Sequence, residues 1–591
     1  MLGMTILLLG LIGLASTAGA DPTWPSDIDD LEEVMYQVFG FRARGFADTV
    51  SPCDTEASGP GRFNSAEFLR TGFHDVAPAN VSSGIGGLDA SLQYELENGE
   101  NGGSAFETTL RFMSPFVNKK TSLADLIALG VYTSVRSCGG PAIPVRHGRV
   151  DATSMGPRGV PRVQDSVSIF KQQFHRMGFS AAEMVQLVAC GHTIGGVHSS
   201  TNPDIVPLGT TPLDVRPLDS TPAVFDRKIV ADYLDGTSEN PLIRGPAVAL
   251  NQHSDFRIFN SDSNQTVSAM DGTAAFHHIC RNVLGRMIDV IPAHVRLTAP
   301  IEPYNIRVRT TQIPLEDISS LTVTYHNRLG RPDCGGPCSF TVGREGVENG
   351  TGFDDTFAFF PISRDIPASS GISSFTVSIN KRNGSSMYYD NNGKSYPMQD
   401  GIVIQKRQSC LREKKGILKL SVAVRSDIKV RPITASIAYK TPQKDSPVPL
   451  LKEMYVGLYE GKSRGNYTLF SGKIAIPGGL SSESMVDIIG GTYKEGFRHV
   501  DEVGESCRLF DGLRPHPSAV PIGTSTASGG NASSTVSEVA ASPTRGEMAT
   551  SVSEIIVSDI PGTASGISSN RHWRPRETLL AVHQQVEDQD E

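Results

Sequence analysis

The sequence predicts a multidomain protein: an all-α domain over residues 21–300, an all-β domain of sandwich type over 301–511, and a disordered Ser/Thr-rich tail over 512–591, behind a signal peptide at 1–20. Three observations predict this. Before Pro300, apolar residues recur at helical spacing between capping and turn residues. From about Tyr304 to Cys507, ten short β-branched runs alternate in polarity, among them SSLTVTYHN, GILKLSVAV and ITASIAYK. From about Gly512 the composition turns to Ser, Thr, Ala, Gly and Pro, as in TSTASGGNASSTVSEVAAS.

The elements follow in order. Residues 1–20 hold an apolar run too short for a membrane span, ending in Ala18-Gly19-Ala20, though no Lys or Arg precedes the run. Cleavage after Ala20 is expected. Residues 26–39 form an N-capped amphipathic helix. Helices follow at about 64–76, 104–116, 122–136, 164–177, 180–190, 222–234 and 272–291. The tail holds one short candidate helix at 576–586, and no internal repeat is visible. No later run reaches 18 apolar residues, so no membrane anchor is expected. The net charge is −9 without a basic block, which argues against a nucleic-acid partner. Eight cysteines behind a leader indicate an oxidising compartment. Cys334-Gly-Gly-Pro-Cys338 fits a disulfide framework better than a zinc site. Six sequons begin at Asn80, Asn264, Asn349, Asn383, Asn466 and Asn531; Asn264 is expected to stay unglycosylated.

Chemistry concentrates in two stretches. Residues 180–198 read SAAEMVQLVACGHTIGGVH: a buried helix opened by Ser180 and Glu183 and closing on Gly191 and His192. A lone histidine there would more often be a satisfied core residue. Residues 67–75 read EFLRTGFHD, placing Arg70 and His74 on one helix face among Phe68, Leu69 and Phe73. A fixed cation beside a neutral imidazole suits cleavage of an O–O bond. The imidazole moves a proton between the two oxygens while the guanidinium stabilises developing charge.

Arg-x-x-Phe-His-Asp followed by Ala-Cys-Gly-His-Thr-Ile-Gly resembles the plant and fungal secretory haem peroxidases, over roughly 27–297. The resemblance implies haem b with His192 as axial ligand, and His74 and Arg70 on the peroxide-binding face. It also implies Asp262 as the carboxylate behind His192, and a Cys53–Cys138 disulfide. Cys190 is expected as a buried thiol. The family orients its distal histidine with an Asn six residues after a Glu, the spacing of Glu95 and Asn101, with Asn98 as competitor.

Two oxygen-rich runs suit two Ca²⁺ ions, each starting beside a haem-face histidine. The distal set is Asp75, Gly87, Asp89 and Ser91. The proximal set is Thr193, Asp219, Thr221, Val224 and Asp226, which resembles the fungal secretory branch. At the positions matching that branch's manganese carboxylates stand Phe63, Glu67 and His198, so one acid remains. His198 instead resembles the intracellular branch, where this residue bonds a haem propionate. The whole therefore resembles a hybrid ascomycete-type secreted peroxidase. Leu218 stands where relatives carry an aromatic ring, and Phe73 where some carry Trp. The two tryptophans, Trp24 and Trp573, lie outside the core. The expected activity is reduction of hydrogen peroxide with one-electron oxidation of small aromatic, phenolic donors. The alternatives are a manganese-oxidising peroxidase and a non-catalytic extracellular binding protein whose β-domain takes a polymer or cell-surface ligand.

Overall fold

The computed structural model describes residues 23–507, except 305, 308–309, 312–317, 332–333, 335–337, 361, 363–365, 368 and 504, together with strands Val520–Gly523 and Ile555–Asp559. The leader at 1–20, the sequon at Asn531, Trp573 and the helix expected at 576–586 lie outside the described residues. So does most of the tail.

The first domain is helical: α1 Asp29–Tyr36, α2 Asn64–Val76, α3 Ala105–Met113, α4 Leu123–Ser137, α5 Val167–Arg176, α6 Ala181–His192, α7 Lys228–Leu234, α8 Pro246–Ala249, α9 Ser254–Phe259, α10 Gln265–Ala269 and α11 Thr273–Ile288. The α4 sequence LADLIALGVYTSV is buried on every side, so this helix is the core's axis. Ser122 starts it by accepting the amide N–H of Asp125. Helix α2 presses against α4 at Gly72, where an added Cβ would lie 2.4 Å from Val131 Cγ2. Only a glycine there lets the helix carrying Arg70 and His74 sit this deep. Helix α6 opens on a full capping box between Ser180 and Glu183. Helices α8, α9 and α10 are short, with four to six residues each, and were not foreseen from periodicity.

Four disulfides join Cys53–Cys138, Cys190–Cys280, Cys334–Cys338 and Cys410–Cys507. The expected free thiol at Cys190 is thereby corrected. Cys190 is buried in α6 as anticipated, but Cys280 of α11 faces it across the packed helix pair. Helical periodicity shows which face is inward, not which cysteine waits there.

Among the described residues the β-rich region holds two large hydrophobic clusters, beside a small one of Phe357 and Phe359 against Tyr36 and Phe41. The first gathers Leu321, Val323, Phe375, Val377, Ile379 and Phe360. All but Phe360 lie on antiparallel strands in the order Ser386–Tyr389, Ser374–Lys381, Ile318–His326, Ser339–Val342, and Phe360 comes from Thr356–Phe360 of a second sheet. The second gathers Leu418, Leu420, Val422 and Val424 with Ile437, Val486 and Ile488. These come from two sheets, one centred on Ile417–Arg425 and the other on Thr434–Thr441, so this unit is a two-sheet sandwich. Alternation marks a strand's inner face but not the sheet it packs against.

The β-rich units are fastened to the helices. Strand Phe39–Gly40, just after α1, pairs with Glu348–Thr351. The Lys440 side chain is 0 % exposed and donates to the carbonyls of Ser114 and Pro115 at 2.7 and 2.9 Å and to Glu483 at 2.7 Å. Lys119 pairs with Asp487, and Asp30 of α1 lies 3.6 Å from His499. Among the described residues, no helix is long and apolar enough to cross a membrane.

Candidate active site

Helix α2 carries Arg70 and His74, four residues apart on one face. His74 is buried, and its ring lies 4.6 Å from that of Phe106 on α3. The Arg70 guanidinium carbon sits 4.3 Å above the same ring. His74 Nδ1 is 2.8 Å from Asn101 Oδ1, and Asn101 Nδ2 donates to the Glu95 carbonyl at 3.2 Å. The amide oxygen can only accept, so Nδ1 carries the proton and Nε2 is left with its lone pair. Asn98 turns away and accepts from the Glu100 N–H. Burial, then the charge of Arg70, push His74 down to about 3 against the Asn101 bond. The imidazole is therefore neutral at pH 7. Burial brings Arg70 down to about 10, still charged at that pH.

Helix α6 ends on His192. His192 Nδ1 lies 3.0 Å from Asp255 Oδ2. Asp255 is 0 % exposed, whereas the His192 side chain is 36 % exposed, so its other edge faces open space. Burial pulls His192 down, but the Asp255 charge and hydrogen bond outweigh it and raise the net value. The sequence expectation of Asp262 behind His192 is corrected. Asp262 Oδ2 instead accepts from the Thr266 N–H and hydroxyl at the start of α10. The unforeseen helix α9 carries Asp255 inward, one helix earlier in the chain. A signal was present: Asp255 lies beside Phe256, Ile258 and Phe259, and an acid in an apolar segment must find a buried partner. Asp262 lies among Ser261, Ser263 and Asn264.

The rim is basic. His198 ends the strand Gly196–His198, and burial, then Arg62 and Arg70, push it down to about 4. Glu67 accepts from Ser58 at 2.7 Å and from Arg62 at 3.4 Å. The charge of Arg70 bears on His74, His192 and His198 alike, so the guanidinium lies near all three imidazoles. A Cβ added at Gly191 would meet nothing within 4 Å. Arg70 lies deep among surrounding atoms yet keeps a solvent-reachable surface, while the rest of its helix is largely buried.

The two oxygen-rich runs also assemble. Asp75 accepts from the backbone N–H groups of Asp89, Ala90 and Leu92 at 2.9, 2.7 and 3.0 Å. Burial, then the neighbouring Asp89, push Asp75 well up. Gly87 has φ +119 and stands so close to Val290 that an added Cβ would lie 2.6 Å from its carbonyl oxygen. Asp89 Oδ1 accepts from the Ser91 N–H at 3.1 Å. On the other side, the Thr193 hydroxyl donates to the Asp226 carbonyl at 2.6 Å and lies 3.3 Å from Asp219 Oδ2. Thr221 donates its N–H to Asp219 and its hydroxyl to the Asp226 carboxylate. Burial, then Asp226 and Asp232, push Asp219 up to about 7. The Val224 side chain is exposed, which leaves only its backbone as a candidate donor.

A neutral imidazole beside a guanidinium, and a second imidazole backed by a buried carboxylate, suit the two faces of a flat iron-bearing ring, and proteins with this pairing are haem peroxidases. The chain belongs to that superfamily of plants, fungi and bacteria: the family profile described as Peroxidase matches residues 55–285. It is 37 % identical over 524 residues to a protein of Arthroderma benhamiae named WSC domain-containing protein, covering 84 % of this chain and 70 % of the relative. That coverage carries the likeness beyond the helices into the β-rich region. Manganese peroxidase 3 of Phlebia radiata is 36 % identical over 172 residues, 27 % of this chain and 45 % of its own. L-ascorbate peroxidase 5, peroxisomal, of Arabidopsis thaliana is 31 % identical over 132 residues, 22 % of this chain and 47 % of its own. The chain thus spans under half the length of those two peroxidases.

Proposed function

We propose that this haem peroxidase is secreted, reduces hydrogen peroxide to water and takes the electrons one at a time from small phenolic donors. The observation that carries the reading is the free Nε2 of a neutral His74, oriented by Asn101 at 2.8 Å, beside the charged Arg70. The residues fit a haem: His192 Nε2 would hold its iron, and the charges of Arg62 and Arg70 with the neutral His198 imidazole would receive its carboxylates. When bound, the haem supplies an iron that exchanges electrons with peroxide. His74 takes the proton from one peroxide oxygen and gives it to the departing one, and Arg70 stabilises the charge that builds there. Asp255 holds His192 in one tautomer and raises its basicity as a ligand.

Small phenols are favoured as donors because neither described chemistry for larger or metal donors is assembled. Trp24 packs with the first β-cluster and donates its backbone N–H to Asn391 Oδ1. Glu67 is already engaged by Arg62 and Ser58, and the other two positions that the resemblance matches to manganese carboxylates hold Phe63 and His198. The test is turnover of peroxide by the haem-loaded full chain against a panel of phenols, with Mn²⁺ as a separate sole donor. Turnover with Mn²⁺ alone, or none with any phenol, would sink the donor assignment. Absence of a Soret band after haem loading would favour the non-catalytic binding protein.

Two calcium ions belong to the same proposal. Asp219, Asp226 and Thr193 on one side, and Asp75 with Asp89 on the other, put buried acids together with hydroxyls and carbonyls, the donor set of a hard cation. A cation-free Asp219 titrates near 7, above the ordinary carboxylate value. The folded state then binds more protons than the unfolded one across the interval from about 4 to 7, so stability falls as pH rises through it. Chelator-treated protein is therefore expected to unfold at lower urea at pH 8 than at pH 5, and added Ca²⁺ to restore the pH 8 value. A chelator without effect at pH 8 would remove calcium from the account.

A further inference from the structure

Behind Asp255 stands a side chain that the reaction scheme leaves unused. Asn240 is fully buried. Its Nδ2 donates to Asp255 Oδ2 at 2.8 Å, the same oxygen that lies 3.0 Å from His192 Nδ1. Asn240 is itself fixed at both ends. Its Oδ1 accepts the Leu242 N–H at 2.8 Å, and its own N–H donates to Ser238 Oγ at 3.2 Å. The same loop is tied to α9 by the Asp255 N–H donating to the Leu242 carbonyl at 3.1 Å. The other carboxylate oxygen has only the Ser254 hydroxyl, at 3.4 Å. Among the described residues no Lys or Arg pairs with Asp255.

Two donors on one carboxylate oxygen share its charge. Each lone pair given to Asn240 is charge that the imidazole N–H does not feel, so the pull of Asp255 on that N–H is weakened. The basicity of an iron-ligating imidazole follows that pull, and the iron's potential follows the basicity. We propose that Asn240 is a positioning residue that seats Asp255 Oδ2 on His192 and limits the charge this oxygen offers, thereby setting the reduction potential of the bound haem. The proposal rests on His192 being the axial ligand.

The test uses the haem-loaded full chain and two readouts, the ferric/ferrous midpoint potential and the iron–imidazole stretching frequency of the ferrous protein. Asn240→Leu removes the donor. Asn240→Asp keeps the side chain's size and its acceptor for the Leu242 N–H, and the acid, protonated beside the buried Asp255, still donates to Oδ2. Asn240→Leu is expected to lower the potential and raise the stretching frequency, and Asn240→Asp to leave both close to wild type. In an Asp255→Asn background the effect of Asn240→Leu should largely disappear, since it acts through Asp255. Wild-type values in Asn240→Leu would overturn the proposal. So would shifts of the opposite sign, which would make Asn240 a tether alone, or an Asn240→Leu shift that survives in the Asp255→Asn background. A wild-type protein lacking the iron–imidazole line would overturn the ligation by His192 and this inference with it. A line present in the wild type and unmoved in Asn240→Leu would overturn this inference only.

Discussion

Replacing His74 by Leu is expected to slow the reaction of the haem-loaded protein with peroxide by about 10²–10⁴-fold, the usual worth of a placed acid–base group. The Soret band should remain, because His74 sits on the side opposite the proposed axial ligand and Leu fills the space between Phe73 and Phe106. The size of the effect follows from the environment. Asn101 holds Nδ1, so the free lone pair is on Nε2. Burial and Arg70 keep the ring neutral down to about pH 3. The wild-type rate constant should therefore stay flat from pH 8 to about pH 4 and fall below that, as the base becomes protonated. The Leu variant should lose this acid limb. Stopped-flow absorbance after mixing with peroxide reads both quantities. A variant within a few-fold of the wild type would take the proton-transfer role away from His74.

Removing the Cys190–Cys280 pair, as Cys190→Ala with Cys280→Ala, is expected to destabilise the helical domain by about 2–5 kcal/mol, the range for a long closed loop. The bridge spans a sequence separation of 90 and joins α6 to α11. Cys190 lies one helical step from His192, so the loss should reach the site. The Soret band should disappear at lower urea and haem should leave faster. The Cys334–Cys338 pair makes a useful control. It closes a separation of only 4 and belongs to the first β-cluster. Opening it should leave the urea dependence of the Soret band unchanged. Equal sensitivity to both removals would mean that Cys190–Cys280 does not act through α6.

The distal side was legible in the chain because its partners are local. Helix α2 was expected at 64–76 and is found at Asn64–Val76, since apolar periodicity fixes a helix whose face is buried. Arg70 and His74 share that helix, and Asn101 is set by the nearby Glu95 carbonyl. The capping box that opens α6 was equally readable from Ser180 and Glu183. The proximal partner was not. Asp255 rides on a six-residue helix, too short for periodicity to show, and order along the chain favoured Asp262. The Cys190–Cys280 bridge, the two β-cores and the burial of Lys440 against Ser114 and Pro115 share the same cause. Each joins segments distant in sequence, where the deciding term is which surfaces meet. A residue's own neighbours in the chain determine its local conformation and inward face; only the packed chain decides what stands opposite.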